Sequence, residues 1–480
     1  MKNTAADSRA NRNIMLLTYV VLAAFVGLMG YFGYFLQVKS EEVINSSYNA
    51  RLDRFSDRIC RGRIYSRDGQ VLAETQVDAQ GQELRVYPFG AVFSHVVGHS
   101  SRGKTGLESL GNFYLLTSHV NLLEQVWDQL SGQKSPGDSL VTTLDAGLQM
   151  TAYQALGDRK GAVVALEPGT GKILAMVSKP DYDPNPASLD LVWDALVDEE
   201  NNEGQLLNRA MQGLYPPGSI FKIVTALEAM REHPDTYREY SFDCSGVYYL
   251  EDYSIRCYHS NAHGLQNLDL AFANSCNGAF ASLGLELDLA AMHDLAEQLL
   301  FNCELPLSLP YAKSAYSMEA GAGTWEILQT SIGQGTTQVT PMHMAMLTAA
   351  IANGGTLMKP YVIEQVQNAA GEEVKRFLPV SAQNLMTAQE SRQLGELMVQ
   401  VVERGTGSAL RDAAYSSAGK TGSAEFETGK ETHAWFTGYA PAEEPQIVVT
   451  VIVEEGGSGG GCAAPIARQM FDQYLLTMPE

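Results

Sequence analysis

Three short patterns place a nucleophile, proton carriers and an anion site in one chain order. Ser219-Ile220-Phe221-Lys222 puts a hydroxyl and an amine three residues apart, on one face of a helix. Tyr215-Pro216-Pro217-Gly218 reads as a rigid turn that sets Ser219 at the helix start. Ile223, Val224, Ala226 and Leu227 continue that helix with an apolar face. A buried ammonium is hard to keep charged, so the Lys222 pKa should fall and its neutral amine can take the Ser219 proton. The helix N-terminus favours an anion developing beside it. Ser275-Cys276-Asn277 adds a hydroxyl able to relay a proton to a leaving amine, and an amide able to hold a carbonyl. Lys420-Thr421-Gly422-Ser423 offers a cation and hydroxyls for a carboxylate. Its small neighbours Ala418, Gly419 and Ala424 would let a substrate backbone approach a strand edge. The chemistry implied is acyl transfer through a serine ester.

Each pattern is weak alone. Ser-x-x-Lys also occurs at Ser101, Ser131 and Ser417, Ser-x-Asn at Ser47, and Lys-Thr-Gly at Lys104. Ser101 and Ser131 sit in glycine-rich loops with no following apolar helix, and Ser417 lies just ahead of the Lys420 strand. Lys104 precedes every candidate nucleophile but Ser101. Only 219, 275 and 420 combine order with local context.

Cysteines crowd the second pattern. Cys244, Cys257, His263 and Cys276 follow Cys-x12-Cys-x5-His-x12-Cys. Three thiolates and an imidazole suit tetrahedral zinc. A disulfide, Cys257–Cys276 or Cys244–Cys257, competes outside a reducing compartment. Packing as small apolar side chains is the third reading. His263 favours the metal, since a disulfide does not need it.

The surrounding elements are legible. Leu140 to Leu144 reads as a strand, and Asp145 as the cap of a helix to about Leu156. Gly161–Leu166 and Lys172–Val177 form a hairpin around Glu167-Pro168-Gly169-Thr170-Gly171. Helical periodicity dominates 219–232, 267–300, 341–353 and 388–404. Strand patterns return at 433–440 and 446–454, before a last helix, 464–476. Strands at both ends of a helix-rich middle predict an α+β fold with an antiparallel sheet made from the two ends. Upstream, alternation around Asp68-Gly69 predicts a β-hairpin in a β-rich region, and Glu41–Asn49 a short helix.

Ile14 to Val38 holds no charged side chain, and 25 residues at about 1.5 Å each exceed a hydrocarbon core of roughly 30 Å. Lys2, Arg9 and Arg12 precede it, which predicts a cytoplasmic tail and an extracytoplasmic remainder. The expected organisation is a tail (1–13), a retained transmembrane helix (14–38), a membrane-proximal region (39–139) and a catalytic domain (140–480). The formal net charge of −22 argues against nucleic acid as a partner.

The chain resembles the class B penicillin-binding proteins over nearly its whole length. Arg61-Gly62-Arg63-Ile64 with Asp68-Gly69, and Gly106-Leu107-Glu108, look like the family's elongated pedestal. Gly161 to Pro168, Ile332-Gly333-Gln334-Gly335 and Trp435 to Pro441 resemble its transpeptidase domain. The resemblance implies an antiparallel sheet with helices on both sides plus an all-helical subdomain. It implies a peptidoglycan D,D-transpeptidase that β-lactams acylate at Ser219, with no cofactor required for catalysis. Lys222 would be the base, Ser275 a proton shuttle and Asn277 a peptide clamp. Lys420, Thr421, Gly422 and Ser423 would form the carboxylate-binding strand, and the N–H groups of Ser219 and Ser423 the oxyanion hole. No glycosyltransferase fits between membrane and catalytic domain, so a SEDS-type membrane glycosyltransferase is the implied partner. The alternatives are a D,D-carboxypeptidase or β-lactamase on the same fold, or a non-catalytic activator of a glycosyltransferase.

Overall fold

The computed structural model describes residues 4–35, 56–121, 130–198, 200, 202–427 and 429–477. The short helix expected at 41–49 and the last three residues of the expected span lie outside them. A helix runs from Thr4 to Tyr34, and its Ile14–Tyr34 portion has a mean hydropathy of 2.1 with none of it buried. That length and polarity suit a membrane span.

The predicted hairpin forms: Ile64–Tyr65 pairs antiparallel with Val71–Val77, and Gly69 between them takes φ +81°. The sheet holding it has six strands, ordered Glu373–Arg376, Ile363–Gln367, Ser139–Thr142, Ile64–Tyr65, Val71–Val77, Glu83–Val86. Leu140 thus pairs with Ile64, and the sheet runs across the expected boundary at 140. Two of its strands return from beyond residue 360. Beneath it, buried Glu108 accepts from Arg61 Nε at 2.6 Å and Arg85 Nε at 2.8 Å, while Arg61 also reaches Asn112. Burial alone would raise the Glu108 pKa. The two guanidiniums prevail and bring it down to about 2.

The second sheet has the predicted composition. Its strands are β1 (Gly161–Leu166), β2 (Ile173–Lys179), β3 (Ala418–Ala424), β4 (His433–Ala440) and β5 (Ile447–Val453), in the order β3-β4-β5-β1-β2 and antiparallel at every pairing. Helices cover both faces, so β1, β2, β4 and β5 are buried at every position and the simple in–out alternation disappears. On one face the helices Ala146–Leu156 and Ala464–Leu476 pack Leu148, Ala152, Met470 and Phe471 against Val163, Phe436 and Val451. Burying each such Val, Leu, Met or Phe side chain contributes about 1.5–3 kcal/mol. Asp145 caps the first helix as expected, accepting from Leu148 N at 2.8 Å. The other face carries the helix Pro341–Ala352, where Thr348, Thr437 and Thr450 satisfy one another's hydroxyls at 2.6 and 2.7 Å.

A helical subdomain stands beside this sheet, including Lys222–Glu232, Leu268–Ala273, Asn277–Gly284, Leu289–Gln298 and Ala388–Glu403. The stretch expected as helical from 267 to 300 is broken into three helices. The first break falls at Ser275, which takes φ +55°. A non-glycine residue rarely adopts this conformation without surrounding support.

Candidate active site

The turn before Ser219 is clamped from two sides. Gly218 takes φ +54°, and its N–H donates to the Gly333 carbonyl at 2.7 Å. A Cβ on Gly333, itself at φ +78°, would lie 2.0 Å from the Gly218 oxygen. From the sheet, Trp435 Nε1 donates to Pro216 O at 3.1 Å. Gly422 lets this turn approach β3, since its Cβ would meet Ile220 and Pro217 O at 3.2 Å. Ser219 then lies in a tight 3₁₀ turn, Gly218–Phe221, that runs directly into Lys222–Glu232. The side-chain geometry anticipated for residues 219 and 222 follows.

Lys222 is fully buried, and its Nζ lies 3.1 Å from Ser219 Oγ. It also reaches Asn277 Oδ1 and the Ser275 carbonyl, both at 2.7 Å, and Ser275 Oγ at 3.3 Å. Burial lowers its pKa to about 8, with Cys276 and Cys257 pulling weakly the other way. Lys420 is equally buried and donates to Ser275 Oγ at 2.8 Å. Its pKa falls well below that of a free lysine, through burial and then through the Lys222 charge. The left-handed turn at Ser275 therefore puts one hydroxyl between two lysines. The neighbouring Asn277 amide is anchored, since its Nδ2 donates to Arg256 O at 2.8 Å.

All the residues anticipated from the sequence patterns meet in one place. Ser219, Ser275, Asn277, Thr421, Gly422 and Ser423 line a cleft of about 590 Å³. Lys222 and Lys420 are buried behind that lining, bonded to Ser219 and Ser275. Ser423 Oγ accepts from Gly459 N at 3.4 Å, which ties β3 to the segment entering the last helix.

Thr406 was not anticipated. Its Oγ1 bonds Thr421 Oγ1, and its N–H donates to Ala273 O at 3.2 Å. It thus joins the Lys-Thr-Gly strand to the helix preceding Ser275. The flanking glycines, Gly405 and Gly407, were the available signal. A Cβ on Gly405 would stand 2.0 Å from Ala273 O.

The thiol cluster also assembles. The ligand atoms of Cys244, Cys257, His263 and Cys276 all lie within 4.8 Å of one another. Cys257 Sγ is 3.6 Å from Cys244 Sγ and 3.7 Å from Cys276 Sγ, and Cys244 Sγ is 3.4 Å from His263 Nδ1. A disulfide requires about 2.05 Å. At Zn–S distances of about 2.3 Å, the edges of a tetrahedron are ~3.7 Å, as found here. The donor set fits a metal. Cys257 ionises far more readily than a free thiol, chiefly through a hydrogen bond from Cys276. Cys276 also caps the helix beginning at Asn277, with Sγ accepting from Ala279 N.

With this geometry in place, comparison with known proteins is specific. Residues 161–472 match the model of the penicillin-binding protein transpeptidase domain, and residues 61–140 that of the penicillin-binding protein A dimerisation domain. The peptidoglycan D,D-transpeptidase PbpA of Mycolicibacterium smegmatis is 34 % identical, over 84 % of each chain. The peptidoglycan D,D-transpeptidase MrdA of Acinetobacter baumannii is 31 % identical, over 89 % of this chain and 73 % of that protein. The structure of penicillin-binding protein A from M. tuberculosis as a ceftriaxone acyl-enzyme superposes with a TM-score of 0.79 at 31 % identity. That match covers 88 % of this chain and all of that one.

Proposed function

This chain belongs to the class B penicillin-binding protein transpeptidases, and on that premise we propose the role of each residue in its acyl transfer. It is a serine D,D-transpeptidase of peptidoglycan, acylated by β-lactams. Ser219 Oγ attacks the carbonyl between the two terminal D-alanines of a stem peptide. Its proton passes to the neutral Lys222 amine, 3.1 Å away. The N–H groups of Ser219 and Ser423 receive the developing oxyanion, where one such donor is typically worth about 10²–10³ in rate. The C–N bond breaks, and the proton reaches the departing D-alanine through Ser275. An acceptor amine from a second stem peptide then attacks the ester and gives up its proton along the same path. A cross-link forms and Ser219 is regenerated. Asn277 holds the donor peptide. Lys420, Thr421 and Ser423 hold the terminal carboxylate, with Gly422 keeping the strand open to it. That carboxylate supplies the counter-charge that buried Lys420 lacks.

One observation carries this reading. A fully buried lysine with a lowered pKa lies within hydrogen-bond reach of Ser219, and Ser275 Oγ links it to a second buried lysine. This is a nucleophile with a base and a proton relay, prepared before substrate arrives. The test is a donor peptide ending in D-Ala-D-Ala, incubated with an amine acceptor. Cross-linked product exceeding hydrolysed donor supports the transpeptidase. Hydrolysis alone would indicate a carboxypeptidase.

The four-ligand cluster binds zinc in this proposal. The thiolate and imidazole spacings of a tetrahedral site support it, and the presence of Cys276 within the Ser275–Asn277 motif gives it a purpose. Bound zinc would supply a rigid cross-brace, with Cys244, Cys257, His263 and Cys276 as its ligands. Catalysis itself runs on side chains. Stoichiometric zinc in the purified protein is the expected result. Metal-free protein with two fewer titratable thiols would establish the Cys257–Cys276 or Cys244–Cys257 disulfide instead.

The helix Ile14–Tyr34 anchors the chain in this reading. Lys2, Arg9 and Arg12 keep the tail cytoplasmic, and the catalytic domain is extracytoplasmic. The glycan strands are polymerised by a SEDS-type membrane glycosyltransferase beside it, and co-purification of the pair is the test.

A further inference from the structure

The catalytic residues account for the serines and β3 in the cleft lining, but not for one further wall. That wall is the segment from Arg256 to His263. It enters from the hairpin Val247–Leu250/Tyr253–Arg256, where Arg256 pairs with Val247. It is tethered at Cys257 and at His263, both in the thiol cluster. Between these tethers His259 takes φ 52°, ψ 22°, and Ser260 takes φ 54°. Two successive left-handed non-glycine residues persist only where neighbours impose them. Here Cys257 N donates to Gly246 O, Ser260 N to Cys257 O, and His263 N to Cys244 O, at 3.0, 2.8 and 3.1 Å. A Cβ on Gly246 would lie 2.3 Å from the Ser260 carbonyl, so the two strands of this turn are in close contact. The wall is therefore rigid in its backbone while its side chains line the cleft.

Arg256 is the cation on that wall, held through its backbone with its side chain exposed. It lines the same cleft as Ser219, and its carbonyl holds Asn277 Nδ2 at 2.8 Å. Its position is thereby coupled to the residue that clamps the donor peptide. The other charged or titratable side chains lining the cleft are Cys257, Tyr258, His259, His263 and Glu425. Elsewhere Arg61 and Arg85 pair with Glu108, Arg209 with Glu454 and Arg231 with Glu390, while Arg392, Arg404 and Arg411, like Arg256, make no ion pair among the described residues. The chain has 55 acidic residues against 33 Lys and Arg, so a carboxylate is the easiest partner to supply. Among the described residues Arg256 makes no ion pair. What sets Arg256 apart is its place: a guanidinium with no carboxylate partner among the described residues, lining the same cleft as the nucleophile, is available to an incoming anion.

The geometry points to Arg256 as a specificity residue for the acyl donor: it binds a carboxylate carried by the stem peptide upstream of the scissile bond. This rests on the transpeptidase reading and deepens it. The terminal carboxylate goes to Lys420 and Thr421 on β3. The second carboxylate goes to the Arg256 wall, beside Asn277, so the peptide is read at two anionic points on either side of Ser219. Arg256 touches no reacting atom. It sets which donors are accepted, and carboxyl groups converted to carboxamides are discriminated against.

Two synthetic donors ending in D-Ala-D-Ala test this, identical except that the residue preceding the D-alanines carries a free carboxylate or its carboxamide. The readout is the ratio of kcat/KM values for the two donors, using the full-length, zinc-loaded protein. The wild-type ratio should favour the carboxylate by about two- to fivefold. It should fall toward one in Arg256→Ala, invert in Arg256→Glu, and survive largely in Arg256→Lys. Equal loss on both donors in Arg256→Ala would overturn the inference, because it would make the residue structural. So would a ratio that none of the substitutions moves. Labelling by a fluorescent penicillin separates the two levels of the argument. Labelled wild type with an unmoved ratio rejects the Arg256 assignment alone, whereas wild type that takes no label rejects the transpeptidase reading beneath it.

Discussion

The burial of Lys222 makes a quantitative demand on pH. Its pKa is about 8 where a free lysine sits at 10.5, because no solvent and no carboxylate stabilise the ammonium in the described site. At pH 7 a group with the lower value is about one-tenth neutral, while the free amine is neutral in about one molecule in 3000. Burial therefore raises the concentration of active base about 300-fold, equivalent to ~3 kcal/mol. If Lys222 takes the Ser219 proton, the second-order rate constant for acylation by a fluorescent penicillin should climb about tenfold per pH unit below 8. It should level above about pH 9. The assay is labelling rate from pH 6 to 10 at fixed ionic strength. Lys222→Arg, which cannot deprotonate in this range, should lose about 10²–10⁴ in rate and show no plateau. A profile flat from pH 6 to 9, or one inflecting only near 10.5, would refute the assignment. The same shift carries a stability consequence with a definite sign. Between pH 8 and 10.5 the unfolded chain holds more protons than the folded one, so this residue's contribution to stability rises with pH across that window.

Other outcomes follow from the same geometry. Glu108→Gln removes the carboxylate that bridges Arg61 and Arg85 and should cost about 3–5 kcal/mol in denaturant unfolding of the protein. Since the Glu108 pKa is depressed to about 2, its contribution is present above the ordinary carboxylate range and should disappear as pH falls through that value. Gly333→Ala would drive a methyl into the Gly218 carbonyl and displace Ser219, lowering the penicillin acylation rate about 10²-fold. Thr406→Val leaves Thr421 without its hydroxyl partner. It should weaken initial β-lactam binding about five- to tenfold, while the first-order acylation step changes far less.

The site was legible in the sequence because each of its groups travels with a local signal. Ser219 and Lys222 share a helix face, and the helix follows a turn rich in proline and glycine. Lys420 to Ser423 lie in a run of small residues, which lets another segment approach a strand closely. The cysteine spacing foretold a four-ligand cluster. What escaped notice depends on neighbours that no local pattern names. The strand expected at 140–144 forms at Ser139–Thr142, yet alternation within a strand does not say which sheet it joins, and Leu140 pairs with Ile64 outside the catalytic sheet. Ile363–Gln367 completes that same sheet from more than 200 residues away. The left-handed turn at Ser275 is imposed by the packing of two helices around it and appears in no periodicity. Thr406 matters through contacts with Thr421, fifteen positions on, and with Ala273, far back in the chain. Arg256 carries no local sequence signal, since its place in the cleft depends on the packing of distant segments.

The central claim is that Ser219 is the acylated residue. Mass spectrometry of the intact protein after brief exposure to penicillin, followed by peptide mapping, tests it most directly. One adduct should form, stable over the time of the digest, on the peptide carrying Ser219, and Ser219→Ala should carry none. An adduct on another residue, or rapid turnover with no accumulated ester, would contradict the account.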